Sequence, residues 1–466
     1  MSTVTQSVEQ AAAGARLLGL LARDLPPDRL TSDPARVAPY ATDRSGAPAG
    51  GEPLAVVHAR RTDDVSTALR HADALGVPVV PRGAGTGLSG GATAGEGNLV
   101  LDLSRMNRIL EIAPQDQVAV VEPGVVTAHL DRAAAAHGLR YAPDPASAAL
   151  STIGGNIATN AGGLRCAKYG VTRDSVLGVE AVLADGTVVR TGRRTVKGVA
   201  GYDLTALITG SEGTLAVVTE ATVRLRPVPV ATATLAAYFD TFEAAADASS
   251  AITAAGIETA MAELLDGSVI SAIDSAQGTA LRERGAALLI VQCDGAGAQA
   301  EAERVAAVLA GRVTSLVVAA DDAEADALLA ARRFALPALE RLGRPLIEDI
   351  AVPRSRLAEA VRAIEDISVR RGVPVFTLAH AADGNLHPII VVDAGLTELP
   401  EAAWETAGDI FALALRLGGT LTGEHGVGTL KRQWIAEELG TDNHALQRRI
   451  KAAFDPHHTL NPGKAV

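Results

Sequence analysis

The sequence predicts an α+β fold, and three observations support this prediction. From about residue 53 to about residue 227, short apolar strands alternate with tight turns and a few helices. From about residue 231 the pattern changes to strands that alternate with longer helices, which is typical of a sheet covered by helices. The chain has 466 residues, of which 48% are hydrophobic, so it is long enough for two or three domains with ample cores.

The first half contains a glycine-rich loop in the segment VPVVPRGAGTGLSGG (77–91), with three glycines at the spacing of a dinucleotide-binding fingerprint. A strand, Val77–Val80, enters the loop, but the following ATAGEGNLVLDL predicts another strand at 98–103 and no helix. The fingerprint requires a helix there, because the helix N-terminus holds the pyrophosphate, so a Rossmann domain is excluded. Glycine still lets backbone N–H groups approach an anion, and we expect phosphate binding; a flexible linker is the alternative.

Two further loops of this half are rich in small residues. They are APDPASAALSTIGGNIATNAGGLRCAKYG (142–170) and GSEGTLAVVTE (210–220). Three such loops in one domain indicate a large, elongated ligand that the backbone contacts at several points. For any one loop taken alone, glycines that only make tight turns are the alternative.

In the second half the periodicity predicts an alternation of strands and helices. The predicted strands are 233–239, 287–293, 313–319, 346–352 and 374–380. The predicted helices are 242–254, 298–310, 322–342, 354–371 and 400–417, followed by a tail of turns.

A late segment, VPVFTLAHAADGNLHPIIVV, contains two histidines. If Asp383-Gly384 forms a two-residue hairpin turn, His380 pairs directly with His387. Directly opposed residues share one face, with Cβ atoms about 5 Å apart. Two imidazoles so placed can bind one divalent cation at about 2.0–2.1 Å from each nitrogen. A stacked histidine pair or a solvated hairpin tip is the alternative.

Charge and composition exclude several classes of function. The net charge of −12 and the lack of a Lys/Arg run argue against nucleic acid or an anionic membrane as the main partner. The two cysteines, Cys166 and Cys293, form no disulfide framework, which suits a reducing cytosol. The N-terminus predicts an ordinary amphipathic helix, and no apolar run reaches transmembrane length. We therefore expect a cytoplasmic protein, or one that is peripheral at the inner membrane through a membrane complex.

Five motifs together resemble one known family. PRGAGTGLSGG, PDPASAALSTIGGNIATNAGG, GYDLTALITGSEGTLAVVTE, HAADGNLH and GEHGVG are similar to the FAD-linked oxidases with the vanillyl-alcohol oxidase/PCMH-type fold. The branch is that of glycolate oxidase GlcD, D-lactate dehydrogenase and D-2-hydroxyglutarate dehydrogenase. The resemblance implies a PCMH-type FAD-binding domain, a substrate (cap) domain and a C-terminal segment that returns to the flavin. The corresponding division of the chain is 1–52 (helical segment), 53–230 (FAD-binding), 231–410 (cap) and 411–466 (C-terminal segment).

The resemblance also implies the contacts of the cofactor. Some relatives attach flavin to a histidine in the first glycine loop, but residues 83–91 contain none, so FAD is expected to bind non-covalently. The residues that the resemblance places at FAD are Pro81, Arg82, Gly83, Ala84, Gly85, Thr86, Gly87, Ser89, Gly90, Pro143, Asp144, Thr152, Gly154, Gly155, Asn156, Ala158, Asn160, Gly162, Gly163, Gly170, Glu212, Gly213, Val218 and Asn461.

For the substrate site, the resemblance completes the metal ligands His380 and His387 with Glu424, and zinc and manganese both suit such a set. It makes His425 the general base, a role that an imidazole can fill near neutral pH. Arg332, aligned by Pro337, corresponds to the substrate-contacting arginine; two solvated helix arginines are the alternative. Expected partners are a small 2-hydroxy acid, an electron acceptor (quinone, cytochrome, electron-transfer flavoprotein or iron–sulfur subunit) and, as one option, a second copy in a homodimer.

Two positions bear on the choice of substrate. In the hydroxyglutarate branch a Lys and an Asn stand where this chain has Ile347 and Ile389. A second carboxylate would find fewer donors here, which favours a short or aliphatic D-2-hydroxy acid such as D-lactate or glycolate. The alternatives are a D-2-hydroxyglutarate dehydrogenase, or a GlcD-type flavin subunit that is active only with iron–sulfur partners.

Overall fold

The computed structural model describes residues 3–48, 50–396 and 398–466. The first two residues and residue 49 of the predicted N-terminal segment lie outside this description. The α-helices are α1 (Thr3–Asp24), α2 (Pro34–Val37), α3 (Thr62–Leu75), α4 (Thr127–Ala135), α5 (Ile153–Thr159), α6 (Cys166–Tyr169), α7 (Thr172–Ser175), α8 (Leu204–Ile208), α9 (Phe242–Ala254), α10 (Gly267–Gln277), α11 (Ala298–Leu309), α12 (Asp322–Glu340), α13 (Leu357–Arg371), α14 (Glu401–Arg416) and α15 (Ile435–Phe454).

The strands account for most of the remaining regular structure. They are β1 (Leu30–Thr31), β2 (Ala55–His58), β3 (Val79–Arg82), β4 (Leu99–Asp102), β5 (Ile109–Ala113), β6 (Val118–Val121), β7 (Leu139–Arg140), β8 (Val176–Val182), β9 (Val188–Gly192), β10 (Val217–Arg224), β11 (Arg226–Pro227), β12 (Thr232–Phe239), β13 (Met261–Leu265), β14 (Ala287–Asp294), β15 (Ser315–Val318), β16 (Arg344–Ile347), β17 (Ile350–Ala351), β18 (Val375–His380) and β19 (Asn385–Val392).

The chain divides into two compact units. Unit 1 contains the residues up to Gly162, Gly170–Val228 and Glu424–Val466. Unit 2 contains Gly163–Tyr169 and Pro229–Gly423. The short segment 163–169 belongs to unit 2, because Lys168 and Tyr169 both bond the Asp294 carboxylate of that unit.

Besides the two-stranded sheet of β7 and β11, unit 1 contains two larger sheets, each with its own core. One has the order β1-β2-β4-β3, with β2, β4 and β3 parallel, and it is covered by the apolar faces of α1 and α3. The other has the antiparallel order β5-β6-β10-β8-β9 and shares a core with α4 and α5. No helix follows the first glycine loop in the described chain; β4 comes next, as predicted, which confirms the exclusion of a Rossmann turn. Strand β3 begins two residues later than predicted.

The C-terminal part of unit 1 packs along β3. Val79 donates its N–H to the carbonyl oxygen of Thr459 and accepts from the N–H of Asn461, both at 2.8 Å. The tail is irregular, as predicted, but α15 before it was not foreseen; this helix is interrupted at Gly440. This pairing fixes residues 459–461 beside the strand that leads into the first glycine loop.

Unit 2 is built on one antiparallel sheet with the order β15-β12-β14-β13-β18-β19-β16, in which β17 also pairs with β19. The apolar faces of α10 and α12 share a core with one face of this sheet. Nearly all predicted elements are present, whereas β13 and α10 were not predicted. The α+β fold class is confirmed. In the described residues no helix combines the length and the apolar character needed to span a membrane.

The predicted pairing of the histidine hairpin is wrong. His380 pairs with Asn385, and His387 pairs with Leu378. The turn contains four residues and not two, because the N–H groups of Asp383 and Gly384 both donate to the carbonyl oxygen of His380 (3.3 and 3.1 Å). The residue paired with His380 is therefore Asn385, two positions before the predicted His387. Because side chains along a strand alternate between the two faces, a shift of two leaves both histidines on the same face.

The predicted strand 346–352 is also interrupted. Glu348 donates its N–H to the carbonyl oxygen of Pro388 (2.9 Å), but proline has no N–H with which to return the bond. The ladder therefore breaks into β16 and β17 without a change of register, since Ile347 pairs with Ile389 and Ile350 pairs with Leu386.

Candidate functional site

The first glycine loop of unit 1 follows β3 directly. Arg44 and Ser45 donate backbone N–H groups to the carbonyl oxygens of Gly85 (3.0 Å) and Gly87 (3.1 Å). Across the described residues, the N–H groups of residues 84–90 donate no hydrogen bond to the protein. The carbonyl groups of the loop are thus held by the protein, while a row of N–H donors is left for a ligand, which suits a phosphate.

The second loop lies against the first. Thr152 caps the N-terminus of α5 by accepting a bond from the N–H of Gly155 (3.3 Å). A Cβ atom on Gly83 would stand 2.4 Å from the Thr152 hydroxyl oxygen, so only glycine permits this approach. Asn156 uses its side-chain amide to bond the Thr127 hydroxyl (2.7 Å) inside the core.

Glu212 joins the third loop to its neighbours in unit 1. Its buried carboxylate accepts bonds from the N–H groups of Val427 (2.7 Å) and Gly428 (2.8 Å). Its own N–H donates to the carbonyl oxygen of Ala158 (2.7 Å), and its carbonyl oxygen accepts from the Asn461 side chain (2.7 Å). Burial raises the pKa of Glu212 despite the two backbone hydrogen bonds. One residue therefore contacts α5, the loop at 427–428 and the C-terminal tail.

Asn461 provides a test of whether these loops fit a flavin nucleotide. Its side-chain amide donates to the carbonyl oxygens of Gly91 (3.0 Å) and Glu212, while its buried Oδ1 has no partner among the described residues. FAD carries ring N–H and ribityl hydroxyl donors that such an acceptor requires. Nearby, Lys464 donates to the carbonyl oxygen of Thr93, and burial lowers the pKa of Lys464 to about 8. The residues fit FAD.

A cleft of about 570 Å³ opens in unit 1 between the first two loops. Its walls include Ala84, Gly124, Val125, His129, Leu150 and Thr152. The lining combines small and apolar residues with a few polar side chains, and Ala84 and Thr152 come from two predicted cofactor loops, which is typical of a pocket for part of a cofactor.

Other residues of the predicted cofactor set lie in or beside these loops of unit 1, whereas Gly163 falls in unit 2. Pro81 and Arg82 end β3, Asn160 is the left-handed C-cap of α5, and Gly213 follows Glu212. Val218, in contrast, lies in β10 and is buried in the core that β10 shares with α4 and α5. Its side chain packs in this core.

In unit 2, one face of the sheet carries the two histidines among the predicted metal ligands. The rings of His380 and His387 are buried and nearly perpendicular, with centroids 5.0 Å apart, and their nearest ring nitrogens lie within 4.8 Å of one another. The register places Glu263 of β13 directly opposite His380 on the same face. Glu263 is fully buried, and its Oε1 lies 2.7 Å from His380 Nδ1. Burial opposes its ionisation, but the charges and hydrogen bonds of His380 and Arg332 hold the pKa of Glu263 below its usual range.

A second buried carboxylate, Asp349, lies opposite His387. Its Oδ1 accepts from the Asn385 side chain (2.7 Å) and lies 3.8 Å from His387 Nδ1. Its Oδ2 accepts from the Thr422 hydroxyl (2.9 Å), which fixes the end of unit 2 beside β19. Gly423 follows Thr422, and a Cβ atom there would meet the Asn385 amide at 2.3 Å. The chain therefore leaves unit 2 next to the histidine face, and Glu424 is the next residue.

The two predicted substrate features also belong to this face. Arg332 of α12 donates from Nε to Glu263 Oε2 (2.6 Å), and 16% of its side chain is exposed. Arg333, in contrast, is 57% exposed and bonds the carbonyl oxygen of Asp326 on its own helix. Ile347 and Ile389 are paired across β16 and β19, and Ile389 lies two residues from His387. Apolar side chains thus adjoin the two imidazoles.

His425 and Glu424 begin the last segment of unit 1. The carbonyl oxygens of His425 (3.2 Å) and Gly426 (2.8 Å) accept from the Ser89 hydroxyl, so this segment is anchored to the first glycine loop. His425 Nε2 lies 4.0 Å from the Glu424 carboxylate.

Glu263 and Asp349 were not predicted from the sequence. A signal existed for Glu263, since an acidic residue inside the apolar strand MAELL must be paired. Asp349 carried no comparable signal, because its position opposite His387 depends on long-range pairing.

Comparison with known proteins identifies the family. Residues 53–192 match the family described as FAD binding domain, and residues 228–465 match the family described as FAD linked oxidases, C-terminal domain. The chain therefore belongs to the FAD-linked oxidase family, and both the predicted family and the PCMH-type fold are confirmed. It is an FAD-dependent oxidoreductase of a hydroxy acid.

Three known proteins illustrate the similarity. The chain is 45% identical over 417 residues to the glycolate oxidase subunit GlcD of Bacillus subtilis, covering 88% of each chain. It is 37% identical over 423 residues to the D-lactate dehydrogenase of Archaeoglobus fulgidus, covering 90% of this chain and 93% of the relative. The solved structure of p-cresol methylhydroxylase with substrate bound has a TM-score of 0.81 at 18% identity, covering 97% of this chain and 96% of the other, which shows a shared fold.

Proposed function

We propose that this protein oxidises a short or aliphatic D-2-hydroxy acid, such as D-lactate, glycolate or a longer analogue, to the 2-oxo acid. The observation that carries the proposal is the sheet face of unit 2, where two buried imidazoles adjoin the paired side chains of Ile347 and Ile389. A second carboxylate on the substrate would be desolvated beside these isoleucines without a partner, which disfavours a dicarboxylic acid. The names of the relatives, a glycolate oxidase subunit and a D-lactate dehydrogenase, support the same substrate class.

A divalent cation, zinc or manganese, is proposed at His380 and His387 with Glu424 as the third ligand. The two histidines lie on one face and can bind a cation through their ring nitrogens, and the chain passes directly from the Asp349–Thr422 contact through Gly423 to Glu424. Consecutive Cα atoms are about 3.8 Å apart, so Glu424 begins close to this face. When bound, the cation stabilises negative charge on the substrate oxygens.

The residues of the chain then have separate tasks. Arg332 binds the carboxylate of the acid, since its fork matches a carboxylate and only its Nε is used by Glu263. His425 accepts the hydroxyl proton as general base, and the bond from Ser89 to its carbonyl oxygen fixes its backbone. The glycine loops hold FAD non-covalently; when bound, FAD supplies the acceptor for the hydride that leaves Cα.

The electron acceptor of the reduced flavin is proposed to be a separate partner, with an iron–sulfur subunit as one candidate. An iron–sulfur cluster needs about four cysteine ligands, and this chain has Cys166 and Cys293. A GlcD-type subunit that works only in such a complex is the second candidate function, favoured by the relative of that name.

The test is a substrate screen with the purified holoprotein and an artificial dye acceptor. D-lactate, glycolate, longer aliphatic D-2-hydroxy acids and D-2-hydroxyglutarate are compared by kcat/KM. We expect an aliphatic acid to have the highest kcat/KM. We also expect chelation to abolish turnover while the flavin spectrum persists, and Zn²⁺ or Mn²⁺ to restore activity.

A higher kcat/KM for D-2-hydroxyglutarate would establish the dicarboxylate alternative. If flavin reduction by every acid needs a co-purified partner, the chain acts as a subunit. Full activity in protein shown to be metal-free would overturn the cation site.

A further inference from the structure

Glu263 is an acidic residue within the apolar strand β13 of unit 2. It is fully buried, and each of its oxygens has a different partner: Oε1 lies 2.7 Å from His380 Nδ1, and Oε2 lies 2.6 Å from Arg332 Nε. A buried carboxylate is costly unless it is paired and hydrogen-bonded. Both partners of Glu263 are residues of the proposed substrate site, and this suggests a role beyond folding.

The contact with His380 determines which ring nitrogen can bind a cation. A carboxylate only accepts hydrogen bonds, so the nitrogen that faces it, Nδ1, must carry the proton. In a neutral imidazole the lone pair is then on Nε2. The His380 ring contacts both Glu263 and the nearly perpendicular ring of His387. Glu263 therefore selects both the tautomer and the orientation of His380.

The contact with Arg332 has an analogous effect on the guanidinium group. Arginine has five N–H donors in a rigid plane, so a bond at Nε fixes the plane and leaves the four N–H groups of the two terminal nitrogens. The neighbouring Arg333 is mostly exposed, and it lies near the exposed carboxylate of Asp326 (4.0 Å) and bonds the carbonyl oxygen of that residue on its own helix. The same side chain thus orients a proposed metal ligand and the proposed carboxylate-binding arginine.

We infer that Glu263 is a positioning residue that couples the two halves of substrate binding, by fixing His380 for the cation and Arg332 for the carboxylate of the acid. The inference rests on the proposed function, because the cation and the substrate are those proposed above. A carboxylate behind a ligating histidine raises the affinity for the metal, and its loss typically weakens binding by about 10-fold to 100-fold.

The test uses Glu263→Gln in the full-length, flavin-loaded protein. An amide cannot accept at both positions, so either His380 Nδ1 or Arg332 Nε faces an N–H group. The Zn²⁺ dissociation constant, measured by competition with a chromophoric chelator, should rise by about 10-fold to 100-fold. The KM for the acid should rise as well, because the guanidinium is no longer held. Glu263→Asp, which keeps the charge but shortens the side chain, should show a smaller effect and serves if the Gln variant is unstable.

Asp266→Asn is the matched control. Asp266 is another buried carboxylate three residues along the chain, but it accepts from the backbone N–H groups of Val269 and Thr377, and among the described residues no histidine or arginine bonds it. The Zn²⁺ affinity of the Asp266→Asn protein should stay within about twofold of wild type. This change is small compared with the loss of about 10-fold that is expected when a metal ligand loses its supporting carboxylate. If both variants weaken Zn²⁺ equally, or if the Glu263 variants bind it like wild type, the inference is overturned.

A second measurement does not depend on activity. Nitrogen-15 chemical shifts of labelled histidines report the tautomer of His380, which should carry its proton on Nδ1 in the wild type and lose this preference in Glu263→Gln. An unchanged tautomer would contradict the inference. A wild-type protein that binds no Zn²⁺ would instead refute the proposed cation site itself, so the two failures are distinguishable.

Discussion

Replacing Gly90 by alanine should separate FAD binding from general stability. Gly90 has φ +78°, and a Cβ atom would stand 2.2 Å from the Thr429 hydroxyl oxygen and 3.1 Å from the Ala47 Cβ. The left-handed conformation costs an L-residue about 1–2 kcal/mol, and forcing an extra carbon into a packed site adds about 1–3 kcal/mol. The second cost displaces the 428–429 segment from the first glycine loop. If the whole of this second cost falls on FAD binding, the affinity for FAD decreases by about 5-fold to 150-fold.

Gly138→Ala is the matched control for this experiment. Gly138 lies in the same unit with φ +69°, but among the described atoms none lies within 4 Å of its Cβ position, so only the first cost applies. FAD affinity is measured by titrating the apoprotein and following flavin fluorescence, and stability by denaturant unfolding. Combining Gly90→Ala with Thr429→Ala removes the closest contact and should restore part of the affinity. If Gly90→Ala and Gly138→Ala retain FAD equally, or if the double variant shows no recovery, the packing argument is refuted.

Four further predictions follow from the site. Acid or heat should release free FAD, since residues 83–91 contain no histidine; flavin that stays with the precipitated chain would contradict this. His425→Ala should slow single-turnover flavin reduction by about 10²-fold to 10⁴-fold with unchanged FAD content, whereas a near-normal rate would make this residue structural. Arg332→Met should lower kcat/KM by a factor that corresponds to about 2–4 kcal/mol of lost transition-state stabilisation. Arg333→Met should have a far smaller effect, and equal effects would refute the assignment of Arg332 to the substrate carboxylate. Burial raises the pKa of Asp266 to about 6, against an ordinary 3.8. Its contribution to folding stability is therefore present at low pH and is lost as the pH rises to about 6. Asp266→Asn should flatten that part of the stability profile in denaturant unfolding, and an unchanged slope would contradict the shift.

Local sequence was sufficient to predict some of the site and not the rest. The glycine loops were recognisable because φ, side-chain size and loop position are properties of a few adjacent residues. The two histidines were placed on one face although the turn was predicted with the wrong length, since a register error of two residues preserves the face. The size of the turn depended on His380, whose carbonyl oxygen accepts two N–H groups, a feature that the Asp383-Gly384 pair did not reveal.

The sequence by itself determined the family, the glycine loops proposed to bind FAD, the alternation of strands and helices in unit 2 and the identity of the candidate ligands. Only the tertiary structure decided that Glu263 lies behind His380, that Asp349 lies opposite His387, and that Glu212 joins the third loop to α5, the 427–428 loop and the tail. The reason is physical. Each of these contacts joins residues far apart in the chain, and a buried carboxylate is stable only where folding has brought donors to it.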